Sequence, residues 1–155
     1  MPQFFLQDNE IILKLVVAVV LGLVIGIERI LAHKDAGMKT HALVSLGAAT
    51  FVVISEMIAH KYAITGGLDP SRMASQIIVG IGFLGAGSII LQNNKLLGLT
   101  TAGGLWVTAS IGMAAGFGFY KLAILTTILV LLVLTVVYIF EKPLRNISEK
   151  VNENQ

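Results

Sequence analysis

The chain has few residues that could carry chemistry: nine Asp and Glu, three His and eleven Lys and Arg among 155 residues, with no Cys. The missing thiol excludes disulfides, Cys-ligated zinc, haem attachment and thiol catalysis together. His33, His41 and His60 are too dispersed to suggest a metal triad, and no nucleophile, base and orienting group stand together, so enzymatic function is not expected. Two groupings remain. Glu28-Arg29 is followed about a dozen residues later by Lys39-Thr40-His41, and a turn between them would gather all five into one charged cluster. The competing reading is that these residues anchor helix ends at the membrane surface, as Arg and Lys commonly do. Further on, Glu56, His60, Asp69 and Arg72 could form a weak cation-attracting vestibule, with Gln76 one turn deeper. Against this, Asp69 and Arg72 are spaced to pair on one helical turn and cancel.

Hydrated Mg²⁺ is held octahedrally by oxygens, usually one or two carboxylates plus waters. The groups placed deepest are Gln76, Ser88, Thr100, Thr101, Thr108, Ser110 and the Trp106 indole, and no carboxylate is among them. A permeation path would rest on hydroxyls and backbone carbonyls. That is a poor inventory for a pump, so no cofactor is expected beyond a Mg²⁺ interaction.

The elements that must position these residues are written in the composition. Hydrophobic residues make up 55% of the chain and charged residues 13%, with a mean hydropathy of +0.85. Soluble domains carry about 25% charged residues. Crossing roughly 30 Å of hydrocarbon takes about 20 apolar residues in a helix. Five runs qualify: Ile11 to Ile27, broken only by Lys14, which is close enough to the end to snorkel; Thr40 to Ile58; Met73 to Leu91; Leu96 to Tyr120; and Leu122 to Phe140. The expected fold is an all-α integral membrane bundle of five transmembrane helices, at about 11–31, 40–59, 71–91, 97–118 and 121–141. Residues 1–142 form the membrane domain and 143–155 a short polar cytoplasmic tail, with Pro143 marking the end of the fifth span. The acidic start and the lack of a small-residue cleavage site argue against a removable signal peptide. The run Leu96 to Tyr120 is longer and richer in Gly than a span requires, so a broken, tilted or re-entrant helix is open there.

With the N-terminus outside, the cytoplasmic side receives Arg29, Lys34, Lys39, Lys95, Lys142, Arg145 and Lys150, seven of the eleven basic residues. The positive-inside rule then gives N-out and C-in. The net charge of +2 is too small and dispersed for nucleic acid.

Sixteen glycines need a reason in helices this apolar. Gly22/Gly26 and Gly112/Gly116 are small-xxx-small faces that let helix backbones approach in lipid. Gly80-Ile-Gly82-Phe-Leu-Gly85-Ala-Gly87 formally matches a dinucleotide fingerprint, but no strand precedes it and it lies in a membrane run. Its glycines either make a smooth packing groove or unwind so that carbonyls face a cavity. Asp69-Pro70-Ser71 reads as a helix start, with Asp as cap and Pro at the first helical position.

The segments Gly22-Leu-Val-Ile-Gly-Ile-Glu-Arg29, Gly37-Met-Lys-Thr-His-Ala-Leu-Val44, Asp69-Pro-Ser-Arg-Met-Ala-Ser-Gln76, Gly80 to Gly87, Gly98-Leu-Thr-Thr-Ala102, Leu105-Trp106 and Ile111 to Gly116 resemble the MgtC/SapB family. The resemblance runs in order from about Gly22 to Gly118. It implies a multi-pass protein of the bacterial inner membrane linked to growth at low magnesium, and in some members to virulence and to restraint of the membrane ATP synthase. The family is often labelled a magnesium transporter. The residue inventory favours a regulatory role through helix contacts, with a homo-oligomer or a membrane complex as partner; a Mg²⁺ or other cation transporter or channel is the alternative. The matching polar positions are Glu28, Arg29, Thr40, His41, Asp69, Arg72, Gln76, Thr100, Thr101 and Trp106. The chain departs from the family pattern at Ile30, where many members have Glu, at Leu97, where many have Arg, and at Lys39, where Arg is usual. Lys cannot copy the bidentate fork of Arg, so an anion contact at position 39 would be weakened. Without the cytoplasmic domain of several well-known members, the chain is expected to group with a membrane-only branch.

Overall fold

A computed structural model describes the backbone of residues 8–62, 69 and 71–152, with side chains as far as Val137. Pro70 and the acidic start through residue 7 lie outside the described residues. The order is α1 (Asp8–Leu31), α2 (Met38–Lys61), α3 (Ser71–Gly87), β1 (Ile90–Gln92), β2 (Lys95–Leu97), α4 (Leu99–Gly116) and α5 (Tyr120–Asn152). Among the described residues three helices, α1, α2 and α5 over Tyr120–Val137, are long and apolar enough to cross a membrane. The regular structure of the described residues is helical apart from the small hairpin, and the protein is a membrane protein.

α4 is the central helix. It touches α1, α2, α3 and α5, while α1 and α2 form a close antiparallel hairpin and α3 leans mainly on α4. The small-residue faces expected from the sequence make these approaches. A methyl group at Gly22 would stand 2.7 Å from the His41 carbonyl oxygen, and one at Gly26 would overlap the Met38 backbone. Gly112 lies against the Ser45 backbone in the same way, and a methyl at Gly116 would come within 2.9 Å of the Ala49 carbonyl oxygen. Backbone-to-backbone contact of this kind is how helices associate where lipid is as apolar as Leu. The core between them is built from Ala18, Ile25, Ala49, Ile111 and Ala115, all buried. Three threonine hydroxyls in the bundle bond along their own helices: Thr50 donates to the Leu46 carbonyl, Thr108 to Gly104 and Thr127 to Ala123, at 2.7 to 2.8 Å.

The third to fifth runs differ from their expected boundaries. α3 stops at Gly87, where the Ser88 N–H and hydroxyl both donate to the Gly85 carbonyl, and Ile90–Leu97 forms a two-stranded hairpin. Asn93 and Asn94 turn it with φ of 50° and 59°, the double positive φ of a type I′ turn. The apolar run Leu96 to Tyr120 therefore divides into a strand, the unbroken helix α4 and a short turn at 117–119, and this division accounts for its length without a re-entrant loop. Gly98 joins hairpin to helix at φ +88°, with its α-carbon pressed on the Ser88 carbonyl, so no other residue fits there without strain. α5 continues through Pro143 to Asn152, so the polar segment after residue 142 is helical as far as residue 152.

Candidate functional site

Polar groups collect at the junction of α1, α2 and α4. Arg29 closes α1 with its side chain 2% exposed and forms a two-pronged pair with the neighbouring Glu28, at 2.5 and 2.8 Å. His41 opens the buried face of α2 and is fully buried; its Nδ1 lies 2.8 Å from the Thr108 hydroxyl oxygen. That hydroxyl also lies 2.7 Å from the Gly104 carbonyl oxygen, so ring, hydroxyl and carbonyl form one polar chain between α2 and α4. Ser45 is one turn further along α2, and Thr101 two turns back from Thr108 on α4; both are buried. Glu28 and Arg29 lie within electrostatic reach of the His41 ring. Three buried atoms here, Arg29 Nη1, His41 Nε2 and the Ser45 hydroxyl oxygen, make no hydrogen bond to the protein. Such atoms are costly at membrane depth and mark the junction as the candidate site.

The five-residue inner cluster is thus only partly assembled. Glu28, Arg29 and His41 come together, whereas Lys39 and Thr40 are exposed on the outer faces of the first turn of α2. Helical periodicity separates them: residues 39 and 40 lie off the face that carries 41 and 45.

At the opposite end of the bundle, residues of the expected vestibule have partners within the protein. Glu56 is bound by Lys14 at 2.7 Å, with side chains 20% and 5% exposed, so Lys14 turns to α2 instead of snorkelling. Asp69 is occupied by Ser71, accepting from its backbone N–H at 2.9 Å and its hydroxyl at 2.7 Å, and these bonds hold the Asp69 carboxyl below the usual range. Arg72 meets Asp69 through its backbone N–H, and its charge adds a smaller lowering of the Asp69 pKa. No cluster of three or more His, Asp or Glu able to hold a metal occurs among the described residues.

The Gly-rich set separates as well. Gly85 meets Ala102 of α4, but Gly80, Gly82 and Gly87 have nothing beside their α-carbons, and α3 is not unwound. Gln76 and Gly80 line an apolar groove of about 430 Å³ between α2 and α3, with Leu43, Phe51 and Ile77. Thr101 points inward, while Thr100 and Trp106 are exposed. Sequence reasoning did not foresee the Lys14–Glu56 pair or the roles of Ser45 and Thr108. A signal for the first was present: Lys14 lies 17 residues before the end of α1 and Glu56 lies 18 after the start of α2, the same depth in an antiparallel hairpin.

Close glycine-mediated packing, apolar outer faces and internally paired charges define a helical membrane protein. A model of the MgtC family matches residues 15–142, and the chain belongs to that family. It is 43% identical over 134 residues to YhiD of Escherichia coli K12, a candidate magnesium transporter by name, covering 82% of this chain and 60% of that one. It is 38% identical over 130 residues to SapB of Bacillus subtilis, covering 81% and 55%, and 42% identical over 116 residues to MgtC of Brucella abortus (strain 2308), covering 75% and 46%. The chain spans about half the length of the curated relatives it matches. No solved structure matches it.

Proposed function

We propose that the chain serves adaptation to low magnesium in a bacterial inner membrane, and that it acts through helix contacts rather than by conducting an ion or by catalysis. The observation that carries this reading is the pairing of the two carboxylates that lie within α1 and α2 away from their first turns: Glu28 with Arg29 and Glu56 with Lys14. Hydrated Mg²⁺ needs carboxylates whose charge is free, and pairing removes it. The magnesium link rests on family membership and on the relatives' names. The partner is a second copy or a membrane complex, of which the ATP synthase is the case the resemblance implies.

In this reading all five helices cross. α4 has 18 residues and α3 has 17, and α4 is surrounded by the three helices that are long enough to span, which supports its running alongside them. Residues 1–142 then form one membrane domain, with the N-terminus outside and residues 143–155 in the cytoplasm.

The test joins growth with complex size. The parent chain should rescue a strain lacking it at limiting magnesium, and in mild detergent it should run as a defined oligomer or with a stoichiometric membrane partner. A strictly monomeric, partner-free protein that still rescues growth would overturn the contact mechanism.

A further inference from the structure

The hairpin between α3 and α4 poses a solvent problem. Ile90, Leu91, Leu96 and Leu97 are 47 to 67% exposed, which disfavours bulk water. Both edges of the two-stranded sheet are open, and unpaired backbone groups are not tolerated in hydrocarbon. Only the interface between the two satisfies both conditions.

The register indicates how the hairpin sits there. The pairs are Ile90 with Leu97, Leu91 with Leu96, and Gln92 with Lys95, closed by Asn93-Asn94. Successive pairs point to opposite faces, so both faces are aliphatic near the base and the polar residues gather at the tip. Polarity therefore changes along the strands and not across the sheet, as it does along the membrane normal. A hairpin lying flat would instead have one apolar and one polar face.

Its depth is fixed by the helices that carry it. α3 and α4, with 17 and 18 residues, reach only about 26 to 27 Å at 1.5 Å per residue, short of the roughly 30 Å hydrocarbon core. Two aliphatic pairs add about 7 Å. Gly98 against Ser88 and Ser88 against Gly85 tie the base to both helix ends, so the hairpin cannot swing away. It lies at the end of the bundle that carries the α1–α2 turn, since a methyl at Gly104, early in α4, would touch the His41 ring at 3.4 Å. Lys34 and Lys39 are exposed at that end with Lys95, against the single exposed acid Asp35 of that turn. This rim suits anionic lipid.

We infer that Ile90–Leu97 is an upright interfacial anchor whose aliphatic base occupies the acyl boundary of one leaflet while its Asn93-Asn94-Lys95 tip stands among anionic headgroups. The anchor fixes the depth of the two short helices α3 and α4. It holds whether the chain conducts ions or regulates a partner.

Because the chain has no cysteine, single Cys substitutions at Leu91, Leu96 and Asn94 of the full-length protein can each carry one spin label in phosphatidylethanolamine and phosphatidylglycerol vesicles. Labels at 91 and 96 should collide with oxygen in preference to a water-soluble nickel chelate, with a ratio severalfold above that at 94. Equal ratios at the three positions would overturn the inference, as would labels at 91 and 96 shielded from both reagents, which would indicate a protein neighbour. Should a Cys variant misfold, Leu91→Trp in a Trp106→Phe background reads the same depth. Its fluorescence should be quenched by lipids brominated near the top of the acyl chain, and unquenched emission overturns the anchor.

Discussion

The junction of α1, α2 and α4 and the exposed side of α3 are both rich in glycine, and they use it in opposite ways. At Gly22, Gly26, Gly112 and Gly116 the neighbouring helix backbone occupies the space a side chain would need. At Gly80, Gly82 and Gly87 that space is empty. The junction also holds buried charge and hydroxyls, whereas α3 presents Val79, Phe83 and Leu84 outward. A glycine pattern thus states where helices could approach closely, and the neighbouring helix decides whether they do. The junction is the closely packed part of the molecule, and α3 leaves an apolar face exposed.

The largest effect should come from breaking the charge pair that closes the junction's far end. Lys14→Met leaves Glu56 charged beside apolar neighbours and should cost on the order of 3 kcal/mol in a detergent unfolding titration. The double variant Lys14→Met/Glu56→Leu should recover most of that loss. If the single variant is neutral, the pair is not structural.

Glycine substitutions sharpen the comparison itself. Gly112→Val drives a side chain into the Ser45 backbone and should destabilise by roughly 1 to 3 kcal/mol or prevent assembly. Gly82→Val and Gly87→Val should leave the melting profile of the isolated protein near that of the parent. Equal sensitivity at both regions would erase the distinction between them.

Within the junction, Thr108→Val removes the hydroxyl that bonds His41 and should cost about 1 to 3 kcal/mol, since a buried polar ring atom is left without a partner. His41→Leu combined with it should cost less than the two single changes together, which a double-mutant cycle measures.

The smallest effect is expected at the start of α3. The Asp69 cap contributes fully above the ordinary carboxylate pKa and is lost as pH falls through its lowered folded value, because protonation weakens the bonds from Ser71. Asp69→Ala should therefore fray the first turn of α3, seen as faster amide exchange at residues 71–75, with little change elsewhere.

Much of this comparison was legible in the sequence. The apolar runs, the Gly22/Gly26 and Gly112/Gly116 faces and the nearness of Glu28 and Arg29 to His41 follow from spacing and from what lipid demands. The hairpin was hidden because Ile89 to Leu91 and Leu96 to Leu99 extend apolar runs on both sides, so hydropathy merged strand with helix. Only Asn93-Asn94 marked the turn. Lys14 and Glu56 each have a local reading, one as a snorkelling end and one as an attractor. Their pairing depends on hairpin register, which local patterns do not carry. Likewise the emptiness beside Gly80 and Gly82 depends on where α4 and α2 lie, and nothing within α3 encodes that.

The central claim is that the charged groups of the bundle are structural and that the protein does not conduct Mg²⁺. Magnesium uptake into proteoliposomes holding the purified full chain, against empty liposomes, tests it most directly. The paired carboxylates predict uptake no greater than in the empty vesicles; saturable uptake by the parent that is lost in Glu28→Gln or Asp69→Asn would contradict it.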